Sequence, residues 1–387
     1  MENNTGNWKV PGPESPEKKK KGFLREWLDA LIFAMVVATL VRWFFFEPFT
    51  IPTPSMEKSL LVGDFLFVSK LHYGARTPKT ILQVPLTHQK IWGTNIPSYL
   101  DWIQLPQFRL PGFSEVKKGD CVVFNWPADS LYPSDLKTNY IKRCVATPGD
   151  VLEVRNRQVF INGLPAENPE NLMFSYNITS ASELGPRVLK SMEVANYDDG
   201  FRPGEVPYEF PVQFYQDTAG LFHYNLHMTP GMADSLRRQP YIRAVEIRKP
   251  EDFQHTHVYG FDAAHPWNED NYGPVRIPGK DTRVELTPAN IPVYFPVIRD
   301  YEGHENVTLS EGRVLIGGKP VTEYTFRQNY YWMMGDNRHN SLDSRYWGFV
   351  PDDYVVGKAW LIWFSVSPDN RAFFDGIRWK RLFNLVD

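Results

Sequence analysis

The stretch FTIPTPSMEKSLLVGDFLFVSK, residues 49–70, joins the most apolar part of the chain to a series of short strand-like segments. If residues 49–55 are extended, the alternation of a strand brings every second side chain to one face. That face combines apolar groups with hydroxyls: Phe49, Ile51, Thr53 and Ser55. Pro52 and Pro54 fix φ and remove two backbone donors, which stiffens the segment. The stretch therefore predicts either a rigid groove floor with Ser55 as a preorganised nucleophile, or an edge strand that proline protects from aggregation.

Residues 27–46, WLDALIFAMVVATLVRWFFF, have the composition of a membrane-spanning helix. At 1.5 Å per residue they extend about 30 Å, the hydrocarbon thickness of a bilayer. The uninterrupted apolar centre, 30–41, is short, so a buried helix of a soluble protein and the core of a cleaved signal peptide are the alternatives. Terminal charges at Asp29 and Arg42, the aromatic run 43–46 and the absence of a small-x-small cleavage motif favour a permanent anchor.

A run of four lysines, residues 18–21, precedes the apolar segment. By the positive-inside rule it keeps the N-terminus cytoplasmic and directs residues 47–387 across the membrane. The net charge of −3 hides this run, and the mildly acidic remainder argues against a nucleic-acid partner. At the other end, IRWKRLF at 377–383 places Trp379 and Phe383 on one helical face, which predicts either a membrane-apposed helix or an ordinary terminal helix.

The sequence shows no recognisable metal-ligand spacing. Its two cysteines, Cys121 and Cys144, exclude a disulfide-dense scaffold; they are expected as buried thiols unless their strands pair in a register that allows a bridge. The histidines at 255–257 and His265 have no acidic or cysteine partner that completes a ligand set. We therefore expect no metal. The polar turn WNEDNYGP at 267–274 is a weak candidate for the rim of a cleft.

Most of the chain after the apolar segment predicts β-strands. The strand-like segments are short, rich in β-branched or aromatic residues, and bounded by turn residues: DFLFVSK, DCVVFNW, YIKRCVA, DVLEVRN, RQVFINGLPA and RVLIGGKPV. One short helix is predicted at 229–238, where Thr229 caps and Pro230 fits the first turn. Between hairpin turns at 161–163 and 316–318 lie about 150 residues, too many for a loop, so we predict an inserted subdomain.

The segment NYIKRCVATPGD, residues 139–150, contains a candidate base. Strand alternation puts Lys142 on one face with Tyr140, Cys144 and Ala146. An ammonium among such neighbours is costly to desolvate, so burial would favour the neutral amine near neutral pH. The alternative is a solvated surface lysine beside Arg143.

The segment MMGDNRHNSLDSRYWGFVP, residues 333–351, is dense in polar side chains although apolar strands flank it. Asp343 and Arg345 are placed to pair, and either Ser341 or Ser344 could orient a neighbouring amine. The segment predicts a polar network, with a solvated turn as the alternative.

Together these stretches resemble the bacterial type I signal peptidase (leader peptidase) family, membrane-anchored serine proteases with a Ser-Lys dyad. IPTPSMEKSLLVGD resembles the nucleophile box, YIKRCVATPGD the general-base box, and GDNRHNSLDSRYWG the Gly-Asp-Asn-Arg box. The resemblance covers the anchor and residues 47–76, 116–165 and 313–366, and leaves the long insert outside. Three motifs in this order are far more specific than any one alone.

The resemblance implies a role for each matching residue. Ser55 is the nucleophile and Lys142 the neutral general base, while the Ser55 N–H and the Thr53 hydroxyl meet the oxyanion. Supporting positions are Ser341, which orients the lysine, and the ion pair of Asp343 and Arg345. Shallow pockets for the small residues of an Ala-x-Ala signal-peptide end are lined by Phe49, Ile51, Met56, Leu60, Leu66, Val123, Tyr140 and Ile141.

Three positions depart from the family pattern. The family often has serine where Thr53 stands and a small residue where Pro54 stands, and it commonly has aspartate where His339 stands. Threonine keeps the hydroxyl but restricts its rotamer. The first two departures bear on the oxyanion geometry and not on the dyad.

The fold class expected from this resemblance is mainly β: a single N-terminal transmembrane helix, then an antiparallel β catalytic domain that carries a large inserted β-rich cap subdomain. The expected boundaries are a cytoplasmic basic tail at 1–22, an anchor at 23–46, the catalytic core at 47–154 and 322–387, and the cap at 155–321.

The expected function is a single-pass serine endopeptidase of the bacterial inner membrane. Its catalytic domain faces the periplasmic side, its partners are preprotein signal peptides and the phospholipid bilayer, and it needs no metal or organic cofactor. A related Ser-Lys protease with a dedicated substrate, and an inactive membrane-tethered peptide-binding protein, are the alternatives.

Overall fold

The computed structural model describes residues 22–185, 188–189, 213–249, 258–367, 374 and 376–386. The lysines at 18–21 and the histidines at 255–257 lie outside these ranges. The α-helices with described bounds are α1 Phe23–Phe44, α2 Pro230–Arg237, α3 Ile291–Tyr301 and α4 Ser344–Trp347. Short 3₁₀ turns cover Pro54–Met56, Asp352–Tyr354 and Trp379–Arg381.

Strands make up most of the remaining regular structure, as predicted. Numbered along the chain they are β1 Phe46–Thr50, β2 Asp64–Ser69, β3 Thr80–Gln83, β4 Tyr99–Gln104, β5 Cys121–Asn125, β6 Asn139–Ala146, β7 Val151–Arg155, β8 Gln158–Ile161, β9 Leu164–Pro165, β10 Phe174–Ser180, β11 Gln213–Gln216, β12 Phe222–Met228, β13 Ile242–Ile247, β14 Tyr272–Arg276, β15 Arg283–Glu285, β16 Val307–Ser310, β17 Arg313–Ile316, β18 Lys319–Val321, β19 Glu323–Thr325, β20 Tyr330–Met334, β21 Val350–Pro351, β22 Val355–Ser365 and β23 Asn384–Leu385. The mainly β fold class is therefore confirmed.

Helix α1 is the one described helix that is long and apolar enough to cross a membrane. None of its residues is buried against the rest of the protein, which argues against the core helix of a soluble protein. The helix ends before the predicted limit of the anchor, because Phe46 already belongs to β1 and pairs with Ser69 of β2.

The main sheet has eight strands in the order β1-β2-β22-β5-β6-β20-β21, with β23 paired to β22. Every neighbouring pair is antiparallel. Strand β5 is buried along its whole length because side chains pack on both of its faces. Its register places Cys121 opposite Arg143, and both Cys121 and Cys144 are buried thiols. The strands that carry the two cysteines thus pair, and the expectation of buried thiols is confirmed.

Smaller sheets surround the main one. Strands β14-β7-β8-β9 form one sheet and β11-β12-β10-β13 another, while β3-β4, β15-β19 and β16-β17-β18 form short ribbons. The β10 sheet packs its own apolar cluster against helix α2 through Ala233 and Leu236. Helix α2 confirms the predicted short helix, and the Thr229 hydroxyl accepts the Met232 N–H as its cap. Strand β14, from the predicted insert, pairs with β7 of the predicted core.

The C-terminal segment forms a 3₁₀ turn and then a short strand, so the predicted helical face of Trp379 and Phe383 is wrong. Pairing of Leu385 with Leu361 of β22 draws this part of the chain into an extended form. Arg381 points inward to the buried carboxylate of Asp64, 2.6 Å away. The segment therefore fastens the end of the chain to the main sheet.

Candidate active site

Ser55 lies on the 3₁₀ turn Pro54–Met56, directly after β1. The predicted extension of residues 49–55 is therefore correct only in part, since β1 ends at Thr50. Proline 54 occupies the first position of the turn, where its fixed φ is favourable and its missing N–H costs nothing. The turn buries Ser55, whose surface is only 7% exposed. The alternative of a proline-protected edge strand with Ser55 exposed to solvent is therefore excluded.

Lys142 lies on β6, in the middle of the main sheet, and its Nζ is 2.6 Å from Ser55 Oγ. The predicted alternation is confirmed, because Lys142, Cys144 and Ala146 are all buried while the residues between them are less so. A second hydrogen bond runs from Lys142 Nζ to the Ile141 carbonyl at 3.0 Å. With 4% of its surface exposed, Lys142 is not the solvated lysine of the alternative.

Burial lowers the pKa of Lys142 from its usual value to about 8. The negative charges of Asp343 and Asp336 act in the opposite direction, and burial outweighs them. Among the described residues no ion pair includes Lys142. The amine is therefore hydrogen-bonded to a hydroxyl and poised to lose its proton a little above neutral pH.

The turn after β20 holds the nucleophile segment through its backbone. Asn337 donates its N–H to the Ser55 carbonyl at 3.1 Å and its side-chain amide to the Pro54 carbonyl at 3.3 Å. Gly335 must lack a side chain here, since a Cβ would lie 2.6 Å from the Ser55 carbonyl oxygen and 2.2 Å from Ser341 Oγ. This close approach explains the glycine of the GDNR motif.

A buried carboxylate connects the three segments of the site. Asp336 is fully buried, pairs with Arg143 of β6 at 2.7 Å, and accepts a 2.6 Å hydrogen bond from Ser59 Oγ. Ser59 follows the nucleophile turn and Arg143 follows the base, so one carboxylate fixes both relative to the GDNR turn. The sequence analysis did not predict the structural roles of Asp336, Arg143, Ser59 and Asn337. A signal for them was present, since Arg143, directly beside the predicted buried lysine, needs a carboxylate partner.

Asp343 and Arg345 form the expected ion pair. Two parallel hydrogen bonds of 2.9 and 2.8 Å join the guanidinium to the carboxylate, and both side chains are buried. Burial alone would raise the pKa of Asp343, but Arg345 holds it below its usual value. Asp343 also accepts the Gly335 N–H at 3.1 Å and caps α4. The predicted polar network is thus buried and is not a solvated turn.

The two serines of this network differ in position. Ser344 Oγ accepts the Met333 N–H at 2.9 Å, beneath the end of β20. Ser341 is buried beside Asp343, whose pKa it helps to lower, but its hydroxyl forms no hydrogen bond of normal geometry with any described residue. Lys142 therefore has no hydrogen bond to either serine in this structure.

Seven of the eight residues expected to line substrate pockets come together. They occupy two adjoining apolar clusters, and Ile141 packs against both: Ile51, Met56, Leu60 and Leu66 in one, Phe49 and Val123 in the other. Tyr140 lies apart from them, stacked on Trp347 with ring centroids 5.4 Å apart. The amine of Lys142 lies 5.4 Å from the centre of the Tyr140 ring. The structure thus separates an apolar floor from an aromatic wall beside the base.

Thr53 precedes the nucleophile turn in an extended conformation, with φ −131° and ψ 152°. It occupies the cap position, yet its hydroxyl makes no capping hydrogen bond. The Thr53 hydroxyl therefore does not accept a hydrogen bond from the backbone of the 3₁₀ turn.

His339 is held by the inserted segment. Its Nε2 donates to Asp270 at 2.8 Å, its Nδ1 accepts the Ser175 N–H at 3.2 Å, and neither His339 nor Asp270 reaches solvent to any extent. Arg157 approaches the same carboxylate at 3.3 Å. Asp270, from the predicted insert, thus places a carboxylate directly beside position 339. Within the predicted cleft rim at 267–274, Glu269 and Asp270 are buried at this junction, whereas Asn271 and Pro274 are exposed.

Comparison with known proteins gives a consistent result. Residues 24–197 and 280–364 match the model of a family described as signal peptidase, peptidase S26. The chain is similar to the signal peptidase I of Buchnera aphidicola subsp. Schizaphis graminum, with 27% identity over 372 residues, 95% of this chain and 83% of that protein. It is similar to signal peptidase I of Pseudomonas aeruginosa, with 25% identity over 93% of this chain and 80% of that protein. It is also similar to signal peptidase I of Haemophilus influenzae, with 24% identity over 93% of this chain and 75% of that protein.

Proposed function

This chain belongs to the signal peptidase family, peptidase S26, and is a membrane-associated serine peptidase of signal peptides; we propose that Ser55 and Lys142 are its catalytic dyad. The observation that carries the proposal is the 2.6 Å contact between Ser55 Oγ and the buried Lys142 Nζ. A hydroxyl is a weak nucleophile at its own pKa and needs an adjacent base. A lysine whose pKa is lowered to about 8 can be that base.

The chemistry runs in two steps. Neutral Lys142 takes the Ser55 hydroxyl proton as the oxygen attacks the carbonyl carbon of the scissile bond, and the resulting ammonium then protonates the leaving amine. The peptide bond is replaced by an ester to Ser55. Lys142 next takes a proton from a water molecule that attacks the ester, and returns it to Ser55 as the signal peptide leaves with a free carboxylate.

The oxyanion would be stabilised by the Ser55 N–H and the Thr53 hydroxyl. Pro54, between them, has no N–H to contribute. The absence of a capping bond from Thr53 supports this assignment, because its hydroxyl is available to a substrate oxygen.

The selection of small residues would come from the packed apolar floor. Met56, Leu60 and Leu66 have no exposed surface, so the floor is filled and leaves depth only for short side chains. The ladder of β20 with β6 ends at Arg143, so the part of β6 next to Lys142 pairs only with β5 in the sheet. We propose that the substrate adds there as an extended strand, with cleavage after an Ala-x-Ala end.

The membrane orientation is proposed from helix α1 and the lysines at 18–21. The basic run would stay on the cytoplasmic side, and α1 would carry the main sheet to the far side of the bacterial inner membrane. Signal peptides that emerge from the bilayer would then meet the catalytic domain close to its surface.

The test uses the full chain in detergent or lipid with a preprotein whose signal ends in Ala-x-Ala. We expect wild type to create one new N-terminus after the second alanine, and Ser55→Ala to bind the preprotein without cleaving it. Ser235→Ala, at an exposed serine on α2, is the matched control and should cleave normally. Cleavage by Ser55→Ala would overturn the assignment of the nucleophile. Binding without cleavage by wild type would favour the tethered binding protein or a protease with a dedicated substrate.

A further inference from the structure

A polar cavity of about 320 Å³ lies where helix α1 meets the catalytic domain. The last turns of α1 contribute Thr39, Arg42 and Trp43, and the domain contributes Lys70 and Arg76. Arg42 donates to the Thr87 carbonyl at 2.9 Å, which holds the end of the helix against the domain. The cavity therefore lies at the level where a membrane-spanning α1 would leave the hydrocarbon.

The charged groups in the wall of this cavity do not cancel. They are three cations and two carboxylates: Arg42, Lys70, Arg76, Glu47 and Asp135. Glu47 lies between Arg42 and Lys70, 2.8 Å from each, and Asp135 accepts two backbone N–H groups. Burial lowers the pKa of His88, which favours its neutral form. One positive charge remains, which suits a ligand with a single negative charge such as a phosphodiester.

An apolar groove of about 830 Å³ adjoins the polar cavity. Four residues line both: Arg42, Leu86, Thr87 and His88. The groove runs from Ala38 and Val41 of α1 to aromatic side chains of the domain, among them Phe67, Trp92 and Trp360. Trp92 is 70% exposed, so its ring forms an open side of the groove.

We propose that the polar cavity and the apolar groove together bind one glycerophospholipid of the membrane, with its phosphate beside Lys70 and Arg76 and an acyl chain along the groove. The apolar part of a signal peptide would also suit the groove, but it carries no anion for the adjoining cations. A glycerophospholipid has both an anionic phosphate for the polar cavity and an acyl chain for the apolar groove. Helix α1 brings this site to the headgroup layer. This binding function goes beyond proteolysis, and neither Ser55 nor Lys142 lines the polar cavity or the apolar groove.

The experiment measures phospholipid retained by the full chain after purification in mild detergent, by native mass spectrometry with added phosphatidylglycerol or phosphatidylethanolamine. We expect wild type to retain one phospholipid. Lys70→Gln removes a cation of the cavity and Trp92→Ala removes a wall of the groove, and each should lower retention at least about tenfold. Trp92 is largely exposed, so its variant tests the site even if Lys70→Gln fails to fold.

Matched controls are Lys118→Gln, which breaks a lysine–carboxylate pair with Asp150 as Lys70→Gln does with Glu47, and Trp102→Ala, which removes an exposed tryptophan from the neighbouring ribbon. Both should retain lipid as wild type does. Equal retention by Trp92→Ala and wild type would overturn the proposal. So would equal retention of diacylglycerol, which lacks the phosphate, or displacement of the lipid by glycerol phosphate, which lacks the chains, or by an apolar signal-peptide core.

Discussion

Two buried basic side chains of the candidate site, Arg345 and Lys142, have opposite surroundings. Arg345 meets Asp343 through two hydrogen bonds, and this pairing raises its pKa above the ordinary value despite burial. Lys142 is as deeply buried but has a hydroxyl and a carbonyl as neighbours, and its pKa falls to about 8. Burial alone therefore does not set the charge; the presence of a directly bonded carboxylate does.

The difference depends on how Asp343 is used. Its carboxylate binds Arg345, the Gly335 N–H and the Arg345 N–H, so its hydrogen-bonding capacity is largely taken. It still favours the charged form of Lys142 at a distance, but less than burial disfavours it. One region of the network is thus a fixed charge that holds the GDNR turn, and the other is the amine of Lys142, the proposed base, which can change its charge.

The largest expected effect comes from replacing Lys142, which can lose its proton, with an arginine, which stays charged. Lys142→Arg should lower kcat/KM by about 10⁴-fold or more, since a guanidinium does not deprotonate and cannot act as the base. Lys118→Arg, at an exposed lysine paired with Asp150, is the control and should keep its activity. Cleavage assays on a preprotein measure both, and an active Lys142→Arg enzyme would remove Lys142 from the mechanism.

Breaking the ion pair of Arg345 and Asp343 tests the other side of the comparison, the buried cation that keeps its charge. Arg345→Gln leaves Asp343 buried without its partner, and we expect a loss of about 3–5 kcal/mol in the free energy of unfolding. Urea denaturation of the full chain in detergent measures the change. Arg299→Gln breaks an exposed pair with Asp300 and should cost at most about 1 kcal/mol. Equal effects of the two variants would show that the buried pair is not a structural requirement.

Replacing the base by an apolar side chain should stabilise the fold. The unfolded state holds the lysine proton up to pH 10.5, whereas the folded state releases it near pH 8, so wild-type stability rises between these values. Lys142→Met removes the free-energy cost of burying a charged amine, and we expect the free energy of unfolding to increase by up to about 3 kcal/mol below pH 8. The gain should shrink toward pH 10.5, which denaturation at several pH values would show. A loss of stability at neutral pH would contradict the account of burial.

The smallest effect is expected at Ser341, which is buried beside Asp343. Ser341→Ala tests the role that the family resemblance gives this hydroxyl, which makes no hydrogen bond to Lys142 in the structure. If the hydroxyl orients the amine during the reaction, the variant should have a kcat about tenfold lower and an unchanged KM, because orientation of the base acts on chemistry and not on substrate binding. Ser341→Thr keeps the hydroxyl and should recover part of the rate. A change confined to KM would place Ser341 in the substrate groove instead.

The sequence predicts the elements better than their contacts. Anchor, strands and the short helix at 229–238 follow from periodicity and turn residues, and alternation alone puts Lys142 with Cys144 and Ala146. The turn at Ser55 is missed because two prolines suit both an extended strand and the start of a 3₁₀ turn. The contacts of Asp336, His339 and Asp270 are missed because their partners lie 69 to 277 positions away, and local pattern carries no information on such pairs.

The pH dependence of kcat/KM for preprotein cleavage tests the central claim most directly. A neutral Lys142 as the base predicts that log kcat/KM rises with a slope of one up to a bend near pH 8 and is level above it. A bend near pH 6.5, typical of histidine, or a rate still rising toward the ordinary lysine value of pH 10.5, would contradict the account.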